Sequence, residues 1–118
     1  MLGEVTVRSD ATVVALHGDI DLLTVDALRA LLDDVMAAKP QRLVVDLADA
    51  DYVDVLSLTV MLGAADAMQE AGGELLVRGA NAAVRRVCGI LNAADILEPE
   101  AAAVGPRPRG IDPAARDL

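Results

Sequence analysis

Six residues in the middle of the chain, 42–47 (RLVVDL), do most to limit what it can fold into. A short aliphatic run of this kind marks a strand covered on both faces, which is how strands of parallel sheets read. A parallel strand needs a long crossover to reach its neighbour, and helical spacing flanks the run on both sides. Upstream, Leu28, Leu31, Leu32 and Val35 recur at helical spacing; Thr24 is placed to cap this helix and Lys39-Pro40 to stop it. Downstream, Asp54 is placed to cap a second helix whose Leu58, Met61, Leu62 and Ala65 form one stripe, ending at Gly72-Gly73.

Residues 74–77 then read as another short strand, and Asn81 as the cap of a third helix carrying Val84, Val87, Cys88 and Leu91. Ile96 and Leu97 are expected to add a last short strand. At the other end, residues 4–7 and 12–17 are β-rich runs joined by Arg8, Ser9, Asp10 and Ala11, which predicts a hairpin, and Gly18-Asp19-Ile20-Asp21 breaks the pattern after it. The order β-β-α-β-α-β-α predicts an α/β fold: a mixed, mostly parallel sheet with an antiparallel N-terminal hairpin and helices packed on it. Residues 1–98 form the expected domain. From Pro99 onward the chain is rich in Ala, Pro and Gly without periodicity, which predicts a flexible C-terminal tail over 99–118.

Composition then removes whole classes of function. Phe and Trp are absent, there is one Tyr, and 22 residues are Ala, so the core must come from Leu, Val, Ile and Met. Nothing is left for base stacking, and a net charge of −9 repels phosphate backbones and anionic lipid. Nucleic acid and membrane insertion are therefore not expected, whereas a basic protein surface is a good partner. The longest apolar stretches fall far short of the roughly 20 residues that span a bilayer. With one cysteine and no basic, then apolar, opening segment, the cytoplasm is the expected location. Nine Arg against one Lys and the abundance of Ala hint at a GC-rich bacterial genome.

The acidic stretch containing Asp46, Asp49, Asp51 and Asp54 invites a test for chemistry, because α/β domains place reactive carboxylates at the C-terminal ends of parallel strands. A phospho-accepting receiver would need a Lys after a late strand, yet the only Lys is Lys39, before Pro40. A hard cation could be offered Asp19, Asp21, Asp49 and Asp54, but solvated loops and helix caps account for these carboxylates better, so no metal is expected. Cys88 lies on its helix's apolar stripe and reads as core. His17 and Cys88 stand far apart without a local signature, and no Gly-rich phosphate loop exists, so neither catalysis nor a cofactor is expected.

Three stretches carry a resemblance. Gly18-Asp19-Ile20-Asp21, Val44-Val45-Asp46-Leu47 leading through Tyr52-Val53-Asp54 into a helix, and Asn81-Ala82-Ala83-Val84-Arg85-Arg86 closed by Ile96-Leu97 resemble the STAS domain of anti-sigma factor antagonists, over about residues 3–98. The resemblance implies a non-enzymatic switch: the antagonist binds an anti-sigma factor, usually a serine kinase, and this releases a sigma factor for transcription. In that family the kinase ends the complex by phosphorylating a serine in an Asp-Ser-Ser-Gly motif at the start of the second helix.

The matching positions here read Asp54-Val55-Leu56-Ser57, so the acceptor serine falls on Leu56 and the glycine on Ser57. A phosphate adds about −1.5 to −2 charges, enough to disrupt a docked acidic face, and Leu56 cannot receive it. At the second position of its helix Leu56 is expected near the surface, available either to a partner or to a neighbouring loop. Ser57 is an alternative acceptor, although one residue along a helix turns the hydroxyl by about 100°. The expected partner-binding residues are Asp19, Asp21, Thr24, Asp54, Leu56 and Ser57. A second class fits the missing acceptor as well: a STAS accessory subunit of an ABC-type lipid or solute transporter. Deletion of residues 101–118 is expected to shift Tm by no more than about 4 °C, under about 1 kcal/mol for a domain of this size, as measured by thermal denaturation.

Overall fold

A computed structural model of the protein describes residues 2–98. The elements are β1 (Gly3–Val7), β2 (Thr12–Ile20), α1 (Val25–Ala37), β3 (Arg42–Val53), α2 (Val55–Glu70), β4 (Glu74–Arg78), α3 (Ala82–Ile90) and a 3-10 turn, Ala94–Ile96. One sheet runs in the order β1-β2-β3-β4. β1 is antiparallel to β2, and β2, β3 and β4 are mutually parallel. This is the mixed sheet that the sequence predicts.

Alternation decides where the core sits. Val14 and Leu16 of β2, Leu43, Val45 and Leu47 of β3, and Leu75 and Val77 of β4 fall on one face of the sheet. Leu28, Leu32 and Val35 of α1, Leu58, Met61, Ala64 and Met68 of α2, and Val84 and Cys88 of α3 join them in a single cluster. All three helices therefore draw on the same face. The expected two-sided cover of residues 42–47 is corrected accordingly: on the opposite face Val44 is buried but Asp46 beside it is part-exposed.

Two strands outrun the sequence pattern. β2 passes through Gly18 instead of ending at His17, because Gly18 takes φ +78° and the ladder shifts register on either side of it. Past this irregularity Asp19 pairs with Tyr52 and Ile20 with Val53, so the acidic stretch after Leu47 is strand rather than loop. α1 ends as Lys39-Pro40 suggests: Lys39 adopts φ +56° and its N–H donates to the Met36 carbonyl at 2.9 Å. Ile96 lies in the 3-10 turn rather than in a strand, its side chain in the core. Leu97 alone reaches the sheet edge, as a single parallel bridge to Val77. The expected tail over 99–118 lies outside the described residues.

Cys88 is fully buried. Burial pushes its thiol above the ordinary pKa, and the charge of Arg85 offsets this only in part. Burial and the raised pKa both protect it, since only an accessible thiolate reacts. Labelling by a maleimide or a disulfide reagent at neutral pH is expected to be slow in the native protein and fast once denaturant exposes α3.

Candidate partner-docking site

The parallel pairing of β2 with β3 delivers two connections to the same end of the sheet. The first, residues 21–24, is a tight turn. The Thr24 N–H donates to the Asp21 carbonyl at 3.0 Å, and Asp21 Oδ1 accepts from the Leu23 N–H at 3.0 Å. Thr24 stands at the N-cap of α1, its carbonyl accepting from the Leu28 N–H at 2.9 Å, but its side chain does not cap the helix. Thr24 Oγ1 accepts from the Asp21 N–H at 2.9 Å and lies 3.2 Å from the carbonyl oxygens of both Asp19 and Asp21. The expected cap is thus corrected to a brace for the turn. That brace holds Leu22 and Leu23 at the turn's apex, 68% and 92% exposed.

The second connection is Asp54. Its backbone is extended, at φ −86° and ψ 171°, and its carboxylate accepts from the Ser57 N–H at 2.7 Å, which caps α2 as the sequence predicts. Its own N–H donates to the Ile20 carbonyl at 3.0 Å, tying the start of α2 to the end of β2. A backbone hydrogen bond therefore ties the two connections together at this end of the sheet.

The helix that follows sorts its first residues by rotation. Val55 and Leu56 are exposed, Leu56 at 41%, and Leu56 lines a groove of about 350 Å³ between α1 and α2 together with Arg29, Met36, Thr59 and Val60. Ser57 is fully buried, and its hydroxyl has no hydrogen-bond partner. Of the expected partner-binding residues, Asp19 and Leu56 are exposed and Asp21, Thr24 and Asp54 are half-buried and engaged in the turn and the cap. Ser57 faces the core and presents no hydroxyl to solvent.

Four further residues complete the surface and escape sequence reasoning: Leu22, Leu23, Tyr52 and Val55, all exposed. A signal was present for two of them, because Leu22 and Leu23 fit neither the strand alternation before them nor the helical stripe after them. The chain's single aromatic residue, set among aspartates, is another. Leu22 and Leu23 follow β2, Tyr52 lies near the end of β3 and Val55 and Leu56 open α2, so these apolar side chains stand at one end of the sheet, with Asp19, Asp21, Asp49 and Asp51 on the adjoining strands and turn. Among the described residues the ion pairs are Arg42 with Glu74 and Arg78 with Glu98, so no Lys or Arg pairs with these four carboxylates. No three of His, Cys, Asp and Glu come together as a cation cage among the described residues. No described helix is long and apolar enough to cross a membrane.

The sequence profile of the STAS domain matches residues 4–104, and the chain belongs to that family. Solved structures share the fold. An anti-sigma factor antagonist from Mycobacterium paratuberculosis superposes with a TM-score of 0.74 at 23% identity, covering 87% of this chain and 91% of that one. The Bacillus cell fate determinant SpoIIAA, an anti-sigma factor antagonist, superposes in its unphosphorylated form with a TM-score of 0.71 at 16% identity, over 86% of this chain and 92% of that one. A sulfate transporter family protein from Wolinella succinogenes gives 0.63 at 13% identity, over 78% and 79%. No curated protein matches the sequence.

The contrast between Asp54 and Ser57 can be measured. Asp54→Ala is expected to lower stability by about 1 kcal/mol through loss of the cap. Ser57→Ala is expected to leave it unchanged or raise it, because an unpaired buried hydroxyl costs about 1–3 kcal/mol. Chemical denaturation of the two variants beside the parent protein checks both.

Proposed function

We propose that the protein is a non-enzymatic anti-sigma factor antagonist that binds a kinase-type anti-sigma factor and so frees a sigma factor for transcription. The observation that carries this reading is the surface at the start of α2, where the family places its phosphoacceptor and this chain places a part-exposed leucine. Structural neighbours named as anti-sigma factor antagonists support it. The docking face consists of residues 21–24, Tyr52 and the first turn of α2. Asp19 and Asp21 steer a basic partner toward it, and Leu56 with its apolar neighbours supplies the contact area.

Two chemical consequences follow for the switch. Leu56 has no hydroxyl to phosphorylate, and the burial of Ser57 keeps a neighbouring hydroxyl away from any kinase while α2 is folded. The complex therefore persists in the presence of ATP, and release depends on something other than phosphate at this position. A second reading draws support from the transporter-family neighbour. In it the same face docks an ABC-type transporter ATPase, for which no acceptor is needed. Affinity capture separates the two, since one recovers a histidine-kinase-like ATPase fold and the other an ABC ATPase.

Incubation with the cognate anti-sigma factor and Mg-ATP, read by intact mass and by binding, tests the leading reading. The expected result is no added phosphate and undiminished binding, while Leu56→Ser gains kinase-dependent release. Leu56→Asp is expected to weaken binding by about 10- to 100-fold, the loss of one buried leucine at about 1.5–3 kcal/mol. Association should slow as salt rises, through screening of the aspartates. Phosphate on Ser57 that abolishes binding overturns the constitutive reading.

A further inference from the structure

The sheet has one capped edge and one bare edge. Beside β4, Leu97 bridges Val77 and the Glu98 N–H donates to the Val77 carbonyl at 2.8 Å. β1 is the other edge, and among the described residues no strand or loop pairs with its outer side. Edge strands are ordinarily shielded by Pro, Lys, a bulge or an inward-pointing charge. β1 reads Gly-Glu-Val-Thr-Val and pairs with β2 in unbroken register, so it has none of these. It exposes Val5 at 44% and Val7 at 78% instead.

Two hydrogen bonds fix which backbone groups β1 leaves over. The His17 N–H donates to the Leu2 carbonyl at 3.0 Å and the Arg8 N–H to the Ala11 carbonyl at 2.8 Å. In an antiparallel ladder hydrogen-bonded and non-hydrogen-bonded pairs alternate, so Glu4 and Thr6, like Leu2 and Arg8, turn their N–H and C=O groups toward β2. Gly3, Val5 and Val7 turn theirs outward. The same residues sit opposite Leu16, Val14 and Thr12, so the side chains of Val5 and Val7 lie on the helix-covered face. There they border a groove of about 550 Å³ whose far wall includes Leu31, Val35, Ala38 and Pro40. One set of residues thus offers both free backbone groups and apolar side chains, which is how a strand-adding site is built.

We infer that this edge receives β1 of a second copy, antiparallel about a two-fold axis through Val5, so that the two sheets join into one. The strand is complementary to itself in this register. Gly3 faces the second copy's Val7, Val5 faces its own counterpart, and Val7 faces the second copy's Gly3, with two N–H···O=C bonds in each pair, so every outward group of the strand is used. Gly3 leaves Val7 room, and it cannot be filled, because an added Cβ would stand 2.5 Å from the Ala15 carbonyl oxygen. On the other face Glu4 lies opposite Thr6. Sliding the register by two residues either way leaves outward groups unpaired, and in one direction it sets Glu4 against Glu4, a repulsive pair. Pairing with an unrelated strand would require none of these matches. The two-fold reverses strand direction, so the starts of α2 in the two copies stand at opposite ends of the joined sheet. Dimerisation therefore leaves both docking faces accessible, and the inference does not depend on what binds there.

Sedimentation equilibrium of the full-length protein at about 0.15 M salt, where charges are screened beyond about 8 Å, tests it. The mean mass is expected to double between about 1 μM and about 1 mM protein. Val5→Pro removes an outward N–H and no bond to β2, yet it abolishes both hydrogen bonds at the two-fold. Val5→Lys keeps every backbone group and sets two ammonium groups face to face, so it carries the test even where the proline unsettles the strand. Both variants are expected to stay monomeric at about 1 mM, with Tm within about 4 °C of the parent. Cysteine cross-linking reads the register, since Cys88 is buried and does not interfere. Val5→Cys is expected to form an intermolecular disulfide under mild oxidation, its Cα atoms lying about 5.5 Å apart. Val7→Cys, about 14 Å from its counterpart, is expected to cross-link at least tenfold more slowly, although Val7 is the more exposed residue. A parent protein that is monomeric at about 1 mM overturns the inference. A dimer that both Val5 variants preserve also overturns it, by placing the contact elsewhere, and so does cross-linking of Val7→Cys as fast as Val5→Cys.

Discussion

The site exists because β2 and β3 stay paired as far as they do. Had β2 ended at His17, the turn before α1 and the start of α2 would be two unrelated loops. The Gly18 irregularity carries the ladder on to Ile20 and Val53, and the hydrogen bond from the Asp54 N–H to the Ile20 carbonyl closes it. Each remaining feature hangs from that junction. Asp54 can spend its carboxylate on α2 because its backbone is already held, and Thr24 can brace the turn because the strand before it is fixed. The exposed leucines are thereby presented on a frame, so a partner would meet them with little left to order.

The second and third residues of α2 differ in opposite senses: Leu56 presents an apolar group to solvent, and Ser57 puts a hydroxyl where only an apolar group is comfortable. The second is costly as well as inert, since the hydroxyl gives up water and finds no partner. I-to-i+1 placement on a helix is what separates them: about 100° of rotation takes one side chain to solvent and the next to the core.

Features decided by local chemistry were legible in the sequence. Asp54 and Asn81 cap their helices through the backbone N–H three residues on, as their type and position indicate, and the residues 42–47 do form a central strand. The strand ends were not legible, because Asp49 and Asp51 are poor strand formers that the ladder with β2 overrides. Nor was the role of Thr24, whose hydroxyl had two competing sets of backbone partners within reach. The rotation of Ser57 away from Leu56 could be read from helix geometry, whereas its complete burial depends on what α2 packs against. Leu22, Leu23 and Tyr52 broke the flanking patterns, but that signal alone could not assign them to the surface, because apolar residues read as core unless the fold shows that no core reaches them.

The unequal lengths of β3 and β4 carry a hazard. Beyond Asp46 the side of β3 turned away from β2 has no strand beside it among the described residues, so its amides and carbonyls form a template for another chain's strand. Asp49 and Asp51 lie along that stretch, and Gly79 packs so tightly against Ala48 that an added Cβ would stand 2.8 Å from its backbone nitrogen. Repulsion between like charges and a blocked first rung would deter two copies from zipping together edge to edge. The aspartates that look like bait for a basic partner therefore also guard the chain against fibril-like self-assembly, and neutralising them would be felt first as a loss of colloidal stability at high concentration.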